Sequence, residues 1–363
     1  MIDLINVLPE SFAGALAEKA IFVGLVVFVM LTAAAYSVFA ERKIAGFIQQ
    51  RPGPNRVGPF GLLQPAADAV KLILKEDIVP ADSNRFLHFL APALTVFLAV
   101  MGLAMLPFAK GLIIFDANIG ILFILGVSSI AVYGITLAGW SSNSKYALIG
   151  GLRSSAQMIS YELSMGLSVV GVVLLGNAFY GGSEYLRVSS LVEAQRTAWF
   201  FFLNPIGALI FITTAFAETN RTPFDLVEAE QELVGGFHTE YSGMKFGAFF
   251  VGEYLNVVVM SAIISALFFG GYLGPFEGAL GVAGWEPLWQ TLWGIGWFAA
   301  KTFFWVFVFI WVRWTLPRFK YNQLMNLGWK RLLPISVLNL MIIATLLSTG
   351  VYTAILRAVG ILE

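Results

Sequence analysis

The chain has 363 residues, 58% of them hydrophobic and 12% charged, with 22 basic residues against 22 acidic ones and a mean hydropathy of +0.80. A soluble domain carries roughly 25% charged residues, so this is a polytopic membrane protein, and with a formal charge of zero nothing suggests nucleic-acid binding. With no cysteine and two histidines far apart, His88 and His238, the sequence excludes disulfides, thiolate-bound iron–sulfur clusters, c-type haem attachment and a His-rich metal site.

Eight apolar runs are long enough to cross a bilayer, which takes about 20 apolar residues. They fall at 20–40, 86–108, 117–139, 158–178, 199–217, 246–270, 293–315 and 334–356. The runs lack period-two alternation and are too long for barrel strands, so the expected fold is an all-α integral membrane protein, one polytopic domain over 1–363. Polar or Gly/Pro residues interrupt the fifth and seventh runs, and no internal repeat relates the two halves.

No basic region precedes the first run, so that span is expected to stay in the mature protein rather than act as a signal peptide. It ends on Glu41, Arg42 and Lys43. A turn-rich loop follows, RPGPNRVGPFG from Arg51, with three Pro and three Gly in 11 residues. Such a segment forms an irregular shaped wall, and it lacks the Gly-Lys-Ser/Thr of a phosphate loop. Residues 62–76 then predict an amphipathic helix with Pro65 in its first turn. Asp68, Lys71 and Lys75 make its polar face, and Ala66, Val70, Ile73 and Leu74 make the other. A helix of this kind lies in the membrane interface rather than across it, either as a plain peripheral helix that ends the loop or as an entrance for a lipid-soluble substrate.

Asp116 and Asn118 open the third span, where an acid suits a helix N-terminus. Glu162 lies near the start of the fourth span. The stretch from Glu218 to Glu240 holds six acids, Glu218, Asp225, Glu228, Glu230, Glu232 and Glu240, against Arg221 alone. Asp225, Glu228 and Glu232 are spaced i, i+3, i+7, so a helix started by Pro223 and ended by Gly235 and Gly236 would put them on one face, with Phe224 beside them. Carboxylates so close cannot all ionise cheaply when partly buried; they titrate as a set, which is what a proton relay needs. Glu253 in the sixth span and Lys301 in the seventh are further intramembrane charges, and Lys301 is expected to pair with a carboxylate.

The loops after spans one, three, five and seven, with their flanking ends, hold seven, two, two and five of the 22 Lys and Arg residues. The excess puts those loops in the cytoplasm and both termini on the outer, periplasmic side. Basic loops and the acidic stretch thus share one side, which suits a docking surface.

Three segments carry a family resemblance: Glu41-Arg42-Lys43 with RPGPNRVGPFGLLQPAADAVKLILKE, AETNRTPFDLVEAEQELVGGFHTEYSGMKFG from residue 217, and LPRFKYNQLMNLGWK at 316–330. Together they resemble the H subunits of bacterial respiratory complex I, the proton-translocating NADH:quinone oxidoreductase, equivalent to mitochondrial NADH dehydrogenase subunit one. The resemblance runs from about residue 20 to 355, and the departures lie in the outer segments 179–198 and 271–293.

The resemblance implies a membrane subunit without a redox centre or bound cofactor. Its partners would be the hydrophilic-arm subunits, which carry FMN and iron–sulfur clusters, and small and antiporter-like membrane subunits. Its substrate would be ubiquinone or menaquinone. The carboxylates matching the family's are Glu162, Glu218, Glu228, Glu230, Glu240 and Glu253, a funnel from the quinone chamber; Asp225, Glu232 and Lys301 join them as relay candidates. Arg42, Asp68, Arg221, Phe224 and Arg313 match residues at the quinone passage, and Glu41, Arg51 and Lys71 extend that set. The expected location is a bacterial inner membrane rather than a mitochondrial one. Alternatives are the membrane anchor of a related energy-converting hydrogenase or formate hydrogenlyase, and a free-standing proton transporter.

Overall fold

The computed structural model of the chain describes residues 12–180, 186–226, 234–275, 282–284 and 286–352. Among them, regular structure is helical and no strand occurs. In chain order the helices are α1 (Phe12–Ile48), α2 (Gln64–Leu74), α3 (Arg85–Met101), α4 (Gly120–Ser141), α5 (Lys145–Tyr180), α6 (Val188–Glu193), α7 (Phe200–Leu203), α8 (Pro205–Glu218), α9 (Gly243–Phe268), α10 (Pro287–Thr315) and α11 (Tyr321–Ser348). Seven of them, α1, α3, α4, α5, α9, α10 and α11, are long and apolar enough to cross a membrane.

The fifth apolar run departs from expectation. It is two pieces, α7 and the 14-residue α8, rather than one helix over 199–217. Pro205 is the cause: it has no N–H to donate and pushes the preceding residue out of the helical region. Asn204 accordingly sits at φ −138°, ψ 68°, and its side chain caps α8 by accepting from Gly207 N at 2.9 Å. At about 1.5 Å per residue α8 is ~21 Å long, short of the roughly 30 Å hydrocarbon core.

Several other helices differ from their apolar runs at the ends: α3 stops at Met101, short of 108, and α11 at Ser348, short of 356, while others start or continue beyond them. Helix α1 continues through Glu41, Arg42 and Lys43, and α5 begins at Lys145 rather than near 158. Helix α11 begins at Tyr321 and contains a π-helical turn, Leu327–Leu332. There Tyr161 Oη donates to the Leu324 carbonyl at 2.8 Å and Trp329 Nε1 donates to Ser160 Oγ at 2.9 Å, which ties α11 to α5.

Helix α9 is the hub. In its most apolar window 78% of residues are buried, against 22% in α1 and in α11. It packs on α3, α10 and α1, while α5 packs on α4, α8 and α11. Outer faces carry exposed Phe28, Phe303 and Leu338, as lipid contact requires.

The segment 234–242 is pinned against the bundle. A Cβ on Gly150 of α5 would lie 2.9 Å from Phe237 N, so only glycine lets this backbone cross. Tyr241 stacks on His88 of α3, with ring centroids 3.9 Å apart, and bonds Ser141 at 3.0 Å. Burial pushes the Tyr241 phenol up to about 12, so it stays protonated. Beyond it, Ser242 accepts from Ile78 N at 2.7 Å and Lys245 pairs with Asp77 at 2.9 Å, which couples the chain after α2 to the start of α9.

Candidate functional site: an ion-pair cluster beside a carboxylate-lined cavity

Helix α8 ends in a sharp turn that builds the site. Asn220 takes φ 50°, a left-handed conformation that asparagine tolerates, and Arg221 N returns to the Phe216 carbonyl at 3.3 Å. Gln157 of α5 braces the turn, donating to the Ala217 carbonyl at 2.9 Å and to Asn220 Oδ1 at 3.2 Å. The turn buries Glu218 and Arg221 and aims them at different neighbours.

Arg221 enters a cluster between α1, α9 and α10. Its Nη1 lies 3.2 Å from Glu41 Oε2 and its Nε 2.9 Å from Glu253 Oε1. Arg313 Nη1 meets the other oxygen of Glu41 at 2.8 Å, and Tyr254 Oη donates to Glu41 Oε2 at 2.8 Å. The Arg221 guanidinium also lies over the Tyr254 ring, 4.1 Å from its centroid. Two carboxylates and two guanidiniums therefore balance in an enclosed setting, where an uncompensated charge would be costly. A small cavity of about 10 Å³ lies among Glu41, Arg221, Tyr254 and Arg313.

Glu218 takes the other direction. It is buried, and no ion pair involves it among the described residues. With Asn220, Glu253, Asn256, Thr95 and Ser128 it lines a cavity of about 70 Å³. That space has room for several waters, since one needs about 10–15 Å³ and 2–4 polar partners, and the lining offers both. Glu162 on α5 accepts from Ser129 on α4 and is close enough to Glu218 for their charges to interact. Glu253 belongs to both parts: it pairs with Arg221 and it lines the cavity with Glu218.

The remaining candidates make contacts of their own. Arg42 pairs with Asp68 of α2 at 2.6 Å, and Gln64 donates to the same carboxylate at 3.1 Å. Lys71 is exposed on α2, and Arg51 donates to Gln49 in the loop before it, apart from the cluster. Lys75, expected on the polar face of the helix, is extended at ψ 138° and ends it. Phe224 is buried against Tyr161 and Phe319, at 5.4 and 5.6 Å between ring centroids. Asp225 is buried and pairs with Arg318 at 2.7 Å. Glu240 is half-buried in the turn before Tyr241. Glu228, Glu230 and Glu232, with the helical face expected to carry two of them, lie outside the described residues.

Lys301 is elsewhere. Its Nζ donates to the carbonyls of Phe269, Gly271 and Leu273 at 2.6, 3.0 and 2.6 Å and lies 4.9 Å from the Trp199 ring centroid. These groups follow the C-terminal end of α9. Sixteen residues separate Phe269 from Glu253, about 24 Å along a helix, so Lys301 stands apart from the carboxylate cavity. Nothing in the sequence marks these main-chain carbonyls as its partners.

Sequence reasoning missed Tyr254, Arg318, Ser129, Asn220 and Asn256. Tyr254 and Asn256 closely follow Glu253 in an apolar run, and polar residues near an intramembrane acid are a usable signal. Ser129 carried none, because serine is common in membrane helices.

A family model described as NADH dehydrogenase matches residues 21–344. NADH-quinone oxidoreductase subunit 8 of Rhodothermus marinus is 60% identical over 328 residues, which is 88% of this chain and 94% of the relative. The H subunit of NADH-quinone oxidoreductase from Salinibacter ruber is 55% identical and the first of the H subunits from Geobacter metallireducens 50% identical, each over 329 residues, 88% of this chain and 93% of the relative.

Proposed function

Because the chain belongs to the NADH dehydrogenase family, among the H subunits of NADH-quinone oxidoreductase, and is thereby a membrane subunit of that enzyme complex, we propose that it forms part of the quinone chamber and transmits quinone reduction to proton translocation. The observation that carries this is the double membership of Glu253, paired with Arg221 in the charged cluster and exposed to the cavity of Glu218.

The chamber is bounded by Glu41, Arg42, Asp68, Arg221, Phe224 and Arg313, with Arg51 and Lys71 nearer its mouth. Helix α2 would lie in the membrane interface there, where its exposed Val70, Ile73 and Leu74 suit lipid, and admit a ubiquinone or menaquinone. FMN and iron–sulfur clusters in the hydrophilic-arm subunits supply electrons. That arm docks on the cytoplasmic loops, and small and antiporter-like subunits adjoin the bundle in the inner membrane. Helices α7 and α8 together make an eighth crossing, with both termini periplasmic.

Reduction of the quinone to quinol adds two electrons and takes up two protons. A unit charge change at 4 Å is worth about 4 kcal/mol at an effective dielectric of 20, enough to redistribute the partners of Arg221. If Glu253 loses its hold on Arg221, its carboxylate is free to exchange a proton with the cavity water and so with Glu218 and Glu162. The relay then continues through Glu240 and the acids Asp225, Glu228, Glu230 and Glu232. Lys301, held far from this path, keeps the end of α9 in place.

The test is Glu253→Gln in the whole complex, reconstituted into liposomes. Quinone reduction should persist while the pH gradient formed per NADH falls. A variant that pumps as well as the wild type rules out the relay. Mass spectrometry of the complex purified through this chain should find the flavin- and iron–sulfur-bearing partners; a nickel hydrogenase in their place would void the quinone chamber.

A further inference from the structure

The cavity of Glu218 and Glu253 continues along α9 toward its C-terminal end, which is the outward end when both termini are periplasmic. A second cavity, of about 20 Å³, shares Ile124, Ser128, Met260 and Ile263 with it. Along α9, Met260 follows Glu253 by seven residues and Leu267 by fourteen, about 10 and about 21 Å of helix. The two cavities are therefore stacked, the carboxylates above and the second cavity beneath.

Their chemistry differs. Among the described residues lining the lower cavity, Ser128 has the only polar side chain, and its hydroxyl donates to the Leu125 carbonyl at 2.9 Å. Met165, Val169 and Phe211 make the walls. Leu106, Ile121, Val188 and Leu267 also line it and are buried to 2% exposure or less. A water needs 2–4 polar partners. The lower cavity has room for about one water and a single hydroxyl to hold it, short of the 2–4 partners a water needs, so it favours staying dry where the upper one can take water.

We propose that the lower cavity is an apolar barrier that separates the carboxylate cavity from the outward face, so that protons reaching Glu218 and Glu253 are kept from crossing the membrane within this subunit. Each elementary charge returning down a 100 mV potential would dissipate about 2.3 kcal/mol, so a relay in this bundle needs such a seal. The inference rests on the reading of Glu218 and Glu253 as proton-exchanging groups.

The test is passive proton entry into liposomes holding the whole complex, driven by a potassium diffusion potential with valinomycin, without NADH. In the variant Met165→Gln/Val169→Thr/Val188→Thr, side-chain volumes change little, and an amide and two hydroxyls give water its partners. Entry should then rise about tenfold over wild type. Met165→Leu, which keeps the cavity apolar, should stay tight. A triple variant that reduces quinone normally and stays tight overturns the barrier. If it does not assemble, the shape-preserving Val169→Thr/Val188→Thr takes its place, with the same criterion. Adding Glu253→Gln to the leaking variant separates the two claims. Suppression of the leak supports both, whereas an undiminished leak supports the barrier and counts against the relay.

Discussion

Arg221 and Glu218 are three residues apart, both buried to 3% exposure, and live in opposite environments. Arg221 is held by Glu41, Glu253 and the Tyr254 ring, in a cluster where two cations face two carboxylates. Glu218 faces a cavity with room for water, amid amides and hydroxyls. The left-handed turn at Asn220 divides them. The first region is balanced and holds three helices in register. The second leaves Glu218 without an ion pair among the described residues. Burial alone therefore says little about a charged residue's task; what sits across from it decides.

The difference can be broken most severely at Arg221. Arg221→Ala leaves Glu41 with Arg313 and strips Glu253 of this cation, a loss of about 3–5 kcal/mol for a broken buried pair. The recovered amount of assembled complex should fall sharply. Arg221→Lys should recover only part of it, since a compact ammonium cannot fork between two carboxylates.

Glu218→Gln should leave assembly untouched, because no ion pair of Glu218 is lost among the described residues. Its effect should appear in coupling: a positioned proton-transfer group is worth about 10²–10⁴-fold, so proton translocation per turnover should drop at least about tenfold, as should that of Glu162→Gln. Unaltered stoichiometry in both would erase the contrast between the two regions.

Tyr254→Phe keeps the ring under Arg221 and removes the hydrogen bond to Glu41. Bonds to charged groups contribute about 1.5–3 kcal/mol, so thermal unfolding of the complex should come at a modestly lower temperature with assembly retained. The mildest change is Lys245→Ala, which loses a partly exposed pair with Asp77 worth about 0.2–1 kcal/mol. A large effect there would mean that the link from α2 to α9 carries more than its ion pair.

Much of the bundle is legible in the sequence because hydropathy and helix formation are local. Any run of about 20 apolar residues must satisfy its backbone internally once in lipid, so α1, α3, α4, α5, α9, α10 and α11 follow from composition and length. The interruption at Pro205 is legible too, since proline removes a donor at a fixed place, but counting apolar residues still joined the two pieces into one span. The acids also stand out as residues a bilayer resists. Partner choice is another matter. Glu41 meets Arg221, Tyr254 and Arg313, which lie 180 or more residues along the chain, and several basic residues were equally open to it by sequence. Lys301 meets carbonyls freed where α9 ends, groups that every residue carries and no sequence pattern marks. Sequence determined which residues are costly to bury, because transfer from water depends on the side chain itself. Only tertiary structure decided what compensates each of them, and where water can stand, because both depend on which helix faces which.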